Sequence, residues 1–265
     1  IAKTVGNTAP DTKILMVTNP VDIMTSVALK YSGLKPNQVF GLGTHLDSMR
    51  LKSLIAAYFR VHVSEVHTRI IGEHGDSMVP LWSATTIGGI KISNLPEFSH
   101  LPVQEIIHAV KCSGEQIIQN KGSTVYGPGE AIASLVRTVL GDENRILTVC
   151  AYIRTEVHGI GDVCIGVPAR VNRDGVFPIT IRIDESEVIA FRESGKLVGY
   201  MCFWQVLDEA HLFNIAVADT RRGRGIGLKI MQHLDEICRR NGMNRIILEV
   251  ARRNSPARAP ATPTC

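Results

Sequence analysis

The 265-residue chain is short of aromatic residues, at 5%, and that excludes a stacking platform for single-stranded nucleic acid. Its six cysteines, Cys112, Cys150, Cys164, Cys202, Cys238 and Cys265, stand far apart with no C-x-x-C pair. Structural zinc and dithiol motifs therefore have no support, and no metal is expected. The cysteines read as small buried apolar residues in a reducing cytoplasm. No apolar run approaches the roughly 20 residues that span a bilayer. The start, Ile1-Ala2-Lys3, is not a basic region followed by an apolar stretch, so no secretion leader is read there. It also lacks Met, which places the expected true beginning upstream. No G-x-G-x-x-G turn occurs in residues 1–195.

What is present is ordinary for a globular protein: 45% hydrophobic and 20% charged residues, enough for one large domain or two small ones. The net charge of +4 is unevenly placed. From Lys196 onward there are 11 Lys+Arg against 6 Asp+Glu, whereas residues 1–195 hold 18 against 19. A basic end can attract nucleic acid. Phosphates of a nucleotide cofactor fit better, because Arg221, Arg222 and Arg224 sit in a glycine loop.

Periodicity predicts strands at Lys13–Thr18, Gln38–Gly41, Arg69–Ile71, Ile146–Tyr152, Asp162–Val167, Phe177–Ile183, Lys196–Trp204, Ala210–Val217 and Arg245–Val250. Helices are expected at Val21–Tyr31, from Thr44 or His45 to Phe59, at Leu101–Lys121, and at Gly129–Leu140 with Pro128 just before it. A further helix is expected at Asp184–Ser194, from its Asp and Ser starts and its Val188, Ile189, Phe191 stripe. An amphipathic helix is expected at Gly225–Asn241, with Ile226, Ile230, Leu234 and Ile237 on one face. The Pro-rich tail from Ser255 is expected to fray.

Two constellations carry chemistry. Asp47 and Arg50 lie three apart on one helix face. Alone, such a pair is a solvated ion pair. With His74 in the loop Gly72-Glu73-His74-Gly75-Asp76, it becomes a candidate site. Arg50 can grip a carboxylate with two parallel hydrogen bonds. Asp47 can fix the His74 tautomer and raise its pKa. His74 can then exchange a proton with a hydroxyl or carbonyl while hydride moves to or from a nicotinamide. Asn19, at a strand end, can hydrogen-bond the same oxygen.

The second is Arg222-Gly223-Arg224-Gly225-Ile226-Gly227, between a strand and a helix. Bare backbone N–H groups at a helix start suit a pyrophosphate, although a glycine loop can equally be a simple turn.

Val17-Thr18-Asn19-Pro20-Val21-Asp22, Gly41-Leu42-Gly43-Thr44-His45-Leu46-Asp47-Ser48-Met49-Arg50 and Gly72-Glu73-His74-Gly75-Asp76-Ser77-Met78-Val79-Pro80 occur in that order. This resembles the lactate/malate dehydrogenase family, in particular its archaeal-type malate dehydrogenases. The resemblance continues through Lys121-Gly122-Ser123-Thr124 and Asp162–Pro168 to about Ser194, where Ile189–Arg192 looks like the family's final helix. It implies His74 as proton acceptor, Asp47 as its partner and Arg50 as carboxylate clamp. It further implies Asn19 on substrate and nicotinamide, Val17 on the dinucleotide, Thr124 in the pocket, and Gly72 and Gly75 giving close backbone approach to ligand. NAD(P), a 2-hydroxy/2-keto acid pair (malate and oxaloacetate) and a homo-oligomer are the implied cofactor, substrate and assembly. The family's pyrophosphate turn and mobile active-site loop have no counterpart in residues 1–195, so weak NAD binding by the chain alone is expected.

Lys196–Tyr200, Glu209–Val217, the glycine loop and Leu248-Glu249-Val250 resemble the GCN5-related N-acetyltransferases, of the ribosomal-protein alanine type. That implies acetyl-CoA held by backbone at Ile215–Val217, by Arg222, Gly223, Gly225 and Gly227, and by Asn254. Glu249 is the implied general base, and a protein N-terminus the implied substrate. The family's opening strand and helices, and the tyrosine expected after Asn254, have no counterpart.

The expected fold is α/β. It comprises a partial Rossmann half (1–40), an α+β substrate domain of the dehydrogenase type (41–195) and a partial acetyltransferase sheet (196–265). The join near Ser194-Gly195 has no linker composition, which fits a gene fusion. The expected activity is malate-type dehydrogenation. The alternatives are N-terminal acetyl transfer, or a catalytically dead fragment that pairs with an intact dehydrogenase subunit.

Overall fold

The structure, a computed structural model, describes residues 1–75, 77–154, 161–179, 188–193, 196–206 and 209–248. The chain divides into two compact units, Ile1–Ile183 and Asp184–Cys265.

The first unit is built on a five-stranded sheet. Apolar, partly β-branched runs make β1 (Ile14–Met16), β2 (Val39–Gly41), β8 (Arg145–Ile153), β9 (Val163–Asn172) and β10 (Gly175–Pro178), in the spatial order β1-β2-β8-β9-β10. β1 and β2 are parallel, with Ile14 opposite Val39. β2 meets β8 through the single pair Gly41–Cys150. β8 and β9 form a nine-pair antiparallel ladder from Arg145–Val171 to Ile153–Val163, which continues into the β9–β10 hairpin. Two small antiparallel assemblies come between β2 and β8 in sequence. They are β3 (Val66–His67), β6 (Thr86–Ile87) and β7 (Ile90–Lys91), and the pair β4 (Ile70–Ile71) and β5 (Val79–Pro80).

Among the described residues, this unit has five α-helices: α1 (Ala2–Thr8), α2 (Val21–Ser32), α3 (His45–Phe59), α4 (Val103–Lys121) and α5 (Tyr126–Leu140). α2 ends at Gly33 and α4 at Gly122, both left-handed, the conformation that glycine adopts without steric cost at a helix end. α5 begins at Tyr126 rather than Gly129. Pro128 therefore sits in the first turn, where its missing N–H costs no helical hydrogen bond. β4 falls within the strand expected at Arg69–Ile71, whereas α1 and the two-residue strands β3, β5, β6 and β7 carry too few periodic positions to be read from sequence. Leu51, Ile55, Ile70, Trp82, Ile92, Leu135, Val149 and Ile153 are fully or nearly fully buried.

The second unit has the four-stranded sheet β11-β12-β13-β14. Its strands are β11 (Val188–Glu193), β12 (Lys196–Val206), β13 (Glu209–Val217) and β14 (Arg245–Leu248). The first three are antiparallel neighbours, and β13 and β14 are parallel. Helix α6 (Ile226–Arg240) supplies Ile226, Ile230, Leu234 and Cys238 to a core shared with Val198, Met201, Phe203 and Leu212. Three of the four expected stripe residues are buried at helical spacing, while Ile237 is only partly buried against this core and Cys238 takes the fourth buried place.

One expected helix is a strand. Residues 188–193, within the helix expected at Asp184–Ser194, form β11, which pairs with β12 from Val188–Cys202 to Glu193–Lys196. The remaining residues of that expected helix lie outside the described residues. Ile189 and Phe191, two apart, both pack on the second core, which strand periodicity achieves and helical periodicity does not. A β-branched and aromatic run beside a neighbouring strand is decided by that pairing rather than by local helix propensity. The segment that resembled the first family's last helix thus belongs to the second unit's sheet.

Candidate functional site

The site in the first unit starts at the carboxyl ends of the two parallel strands, where open α/β sheets bind ligands. Val17 and Asn19 follow β1, and Leu42 and Gly43 follow β2. These four line a cavity of about 680 Å³ together with Val21, Leu46, Arg50, His74, Gly114, Glu115, Ile118, Gln119, Thr124 and Pro128. The volume lies within the range of small-molecule sites. Arg50 and Leu46 come from α3. Gly114, Glu115, Ile118 and Gln119 come from one face of α4, and Pro128 from α5.

Asp47, on the first turn of α3, is 1% exposed and holds two partners. Its Oδ2 lies 2.6 Å from His74 Nδ1, and its Oδ1 accepts from Arg50 Nη1 at 3.3 Å. A carboxylate can only accept, so Nδ1 carries the hydrogen, and Nε2 is left as the nitrogen that takes or gives a proton. The His74 pKa is raised, first by this hydrogen bond. Burial opposes the rise, the charges of Asp47 and Asp22 add to it, and Arg50 subtracts. The pairing wins because the carboxylate is dry and touches the ring.

The loop carrying His74 is fastened at three points. Gly72 exchanges two main-chain hydrogen bonds with Gly166 of β9, each 2.9 Å. A Cβ on Gly166 would lie 2.5 Å from Thr44 Oγ1 and 2.6 Å from the Gly72 carbonyl oxygen. Asp22 Oδ2 accepts from the His74 main-chain N–H at 2.8 Å. Ser77 donates to Glu73 within the loop. Gly72 has φ +93 and opposes the Ser77 backbone. Its freedom therefore serves packing of the loop on β9. Gly75 has no positive φ and neighbours only the Glu73 side chain.

Of the expected dehydrogenase-type residues, Val17, Asn19, Arg50, His74 and Thr124 border one cavity, and Asp47 lies directly behind His74 and Arg50. Sequence reasoning missed Asp22, although it ends the Asn19–Asp22 word. It also missed the α4 wall. Gly114, Glu115, Ile118 and Gln119 have the spacing of one helix face, but nothing chemical marks them.

In the second unit, the glycine loop stands at the start of α6. Gly223 and Gly225 both have φ +75, with nothing within 4 Å of an added Cβ, and Gly225 is the residue before the first helical turn. Arg222 is tied back: it pairs with Asp219 at 2.7 Å and donates to the Val217 carbonyl at 3.4 Å. Arg221 pairs with Glu193 at 3.1 Å. Gly227 lies inside α6, where an added Cβ would sit 3.9 Å from the Val217 side chain. Ile215 is partly exposed on β13. Glu249 and Asn254 lie outside the described residues. Among the described residues no group of three or more His, Cys, Asp or Glu is placed to hold a metal ion, and no helix is long and apolar enough to cross a membrane.

A buried Asp–His pair thus lies beside an arginine, near the carboxyl ends of the two parallel strands. Residues 44–197 match the lactate/malate dehydrogenase α/β C-terminal domain, and residues 1–41 match the NAD-binding domain of the same family. The chain belongs to the lactate/malate dehydrogenase family. Residues 168–259 match the GNAT acetyltransferase family. The chain is 55% identical over 193 residues to the L-2-hydroxycarboxylate dehydrogenase (NAD(P)(+)) of Methanocaldococcus jannaschii, covering 72% of this chain and 62% of that protein. It is 49% identical over 194 residues to the malate dehydrogenase of Methanococcus maripaludis, with the same coverage. The solved malate dehydrogenase of Plasmodium falciparum in complex with NADH superposes with a TM-score of 0.66 at 30% identity, over 69% of this chain and 62% of that one. The chain thus spans about three fifths of the length of these relatives.

Proposed function

We propose that the first unit performs the proton-transfer and carboxylate-binding work of an NAD(P)-dependent 2-hydroxy-acid dehydrogenase, with malate and oxaloacetate as the pair. The observation that carries this reading is the contact of His74 and Arg50 with one buried carboxylate, Asp47, at the wall of one cavity. Arg50 keeps guanidinium N–H groups beyond its Asp47 contact and borders the cavity, so it grips the acid's carboxylate. Nε2 of neutral His74 accepts the hydroxyl proton when the alcohol is oxidised, and the protonated ring returns it to the carbonyl oxygen on reduction. Asp47 stabilises the ring in its charged form. Asn19 donates to the same oxygen, and Thr124 bounds the acid from the α4–α5 connection.

The residues suit a nicotinamide end. Val17, Val21, Leu42, Leu46 and Ile118 give apolar flanks, and Asn19 gives an amide, within a cavity roomy enough for two ligands. When bound, the dinucleotide supplies the hydride acceptor or donor. Val17 and Asn19 are the residues that would hold it. Five free cysteines among the described residues support the cytoplasmic setting, and the family resemblance supports a homo-oligomer.

The test is a titration with oxaloacetate in the presence of NADH. Arg50→Lys keeps the charge and loses the planar fork, and it should raise KM about tenfold or more. An unchanged KM removes Arg50 from carboxylate binding.

A second reading rests on the glycine loop at the start of α6 and the acetyltransferase match over residues 168–259. In it, Gly223, Gly225 and Gly227 leave backbone N–H groups open to the pyrophosphate of acetyl-CoA. Ile215 and Val217 offer main-chain contacts, Arg222 and Asn254 flank the cofactor, and Glu249 takes a proton from a protein N-terminal amine. Calorimetry with acetyl-CoA tests it: heat of binding that is lost in Gly225→Val supports it, and no heat refutes it.

A further inference from the structure

Asp22 is the second residue of α2, and the chemistry proposed above gives it no role. Its Oδ2 takes the main-chain N–H of His74 at 2.8 Å across 52 positions of sequence. Its Oδ1 is buried, and among the described residues no N–H or O–H donates to it; the group turned toward the Asp22 carboxylate is the weakly donating thiol of Cys150. A buried carboxylate oxygen served by no more than a weak thiol donor is costly, and its retention calls for a purpose.

The surroundings make that charge felt. Cys150 of β8 and Cys164 of β9 lie close enough for Asp22 to help push both thiols up, after the larger effect of their burial. Both are neutral and cannot cancel the carboxylate. From α3, Asp47 adds a second negative charge at His74, and Arg50 a positive one. From the loop itself, Glu73 turns to Ser77.

We infer that Asp22 is a positioning residue for the proton-transfer pair, fastening the His74 loop by its main chain while its second oxygen keeps negative charge behind the loop. This rests on the dehydrogenase reading of the site. Asp47 aims the ring from the side-chain end, and Asp22 holds the same residue from the backbone end. The two acids come from different helices, so the imidazole is fixed relative to both α2 and α3. Losing Asp22 leaves the Asp47 contact available but lets the loop shift. The expected effect is therefore on the proton-transfer step and its pH dependence more than on substrate affinity.

Two variants separate the two contributions. Asp22→Asn keeps an oxygen acceptor for the main-chain N–H and removes the charge. Asp22→Ala removes both. The experiment is NMR titration of the His74 ring, with hydrogen exchange of the His74 amide, in the full chain and both variants. In Asp22→Asn the ring pKa falls and amide exchange stays slow. In Asp22→Ala the pKa falls and exchange speeds about tenfold or more, as loss of a charge-assisted hydrogen bond implies. If Asp22→Ala does not fold, the Asn titration decides alone. An unchanged His74 pKa in Asp22→Asn overturns the charge role. Unchanged amide exchange in folded Asp22→Ala overturns the fastening role. Neither readout needs turnover, so a wild-type chain inert toward NAD(P)H and oxaloacetate would refute the dehydrogenase reading without deciding this one. In an active chain, kcat should fall with KM nearly unchanged, and its pH profile should shift with the ring.

Discussion

The two units assemble their candidate sites in opposite ways. In the first, His74 meets Asp47 across 27 positions and Asp22 across 52, so the site exists only because α2, α3, β8 and β9 pack together. In the second, the glycine loop, the Arg222–Asp219 pair and the start of α6 fall within a few consecutive residues. One site depends on tertiary packing, the other on the backbone conformation of two glycines. The first should respond to substitutions that disturb distant contacts, and the second should respond mainly to changes inside the loop.

The largest expected effect is that of His74→Ala. It removes the proton acceptor and should slow NADH-linked oxaloacetate reduction by about 10² to 10⁴-fold, while leaving any heat of acetyl-CoA binding unchanged. Loss of both would join the two regions in a way that their independent cores do not suggest.

The next effect concerns pH and belongs to the first unit alone. Burial, with smaller contributions from Arg145 and Arg69, lowers the pKa of His45 from 6.5 to about 4. Its Nε2 is buried without a partner among the described residues. The unfolded chain takes up this proton more readily than the folded one. Stability is therefore full above pH 6.5 and lost as pH falls toward 4, by about 3 kcal/mol in order of magnitude. His74 acts with the opposite sign. Its raised pKa contributes stability below the ordinary histidine value, and that contribution fades as pH climbs through the raised value. Denaturant melts across this range should show the His45 loss disappearing in His45→Gln. A wild-type stability flat between pH 6.5 and 4 would refute the assignment.

A smaller effect separates packing from backbone strain. Gly166→Ala places a Cβ against Thr44 and the Gly72 carbonyl. It should cost about 1–3 kcal/mol, loosen the His74 loop and lower dehydrogenase turnover. The smallest is Gly225→Ala, which meets no neighbour but must hold φ +75, a strain of about 1–2 kcal/mol. It should weaken acetyl-CoA binding and leave the first unit's melt unchanged. Equal effects of the two substitutions on both activities would erase the distinction.

The same contrast explains what the sequence disclosed. α3 was legible closely at both ends: Thr44 or His45 was the expected start and about Phe59 the end, and the helix runs His45–Phe59 with Thr44 just before it. The Asp47–Arg50 spacing and the His74 loop named the candidate site, and these three side chains do converge. The α6 stripe and its glycine start were equally plain. What failed was decided at a distance. Asp184 and Ser186, ahead of β11 in the sequence, look like helix starts, but a neighbouring strand claims Ile189 and Phe191. Asp22 looks like a first-turn helix acid, a role that the macrodipole alone would justify, until the fold brings the His74 main chain to it. The α4 wall residues have ordinary helical spacing and acquire meaning only where the cavity forms.

The most direct measurement follows NADH absorbance with oxaloacetate for the wild-type chain and for His74→Ala at matched folded concentration. The convergence of His74, Asp47 and Arg50 predicts consumption of NADH by the first and almost none by the second. Equal rates in the two proteins, or no consumption by a folded wild-type chain, would contradict it.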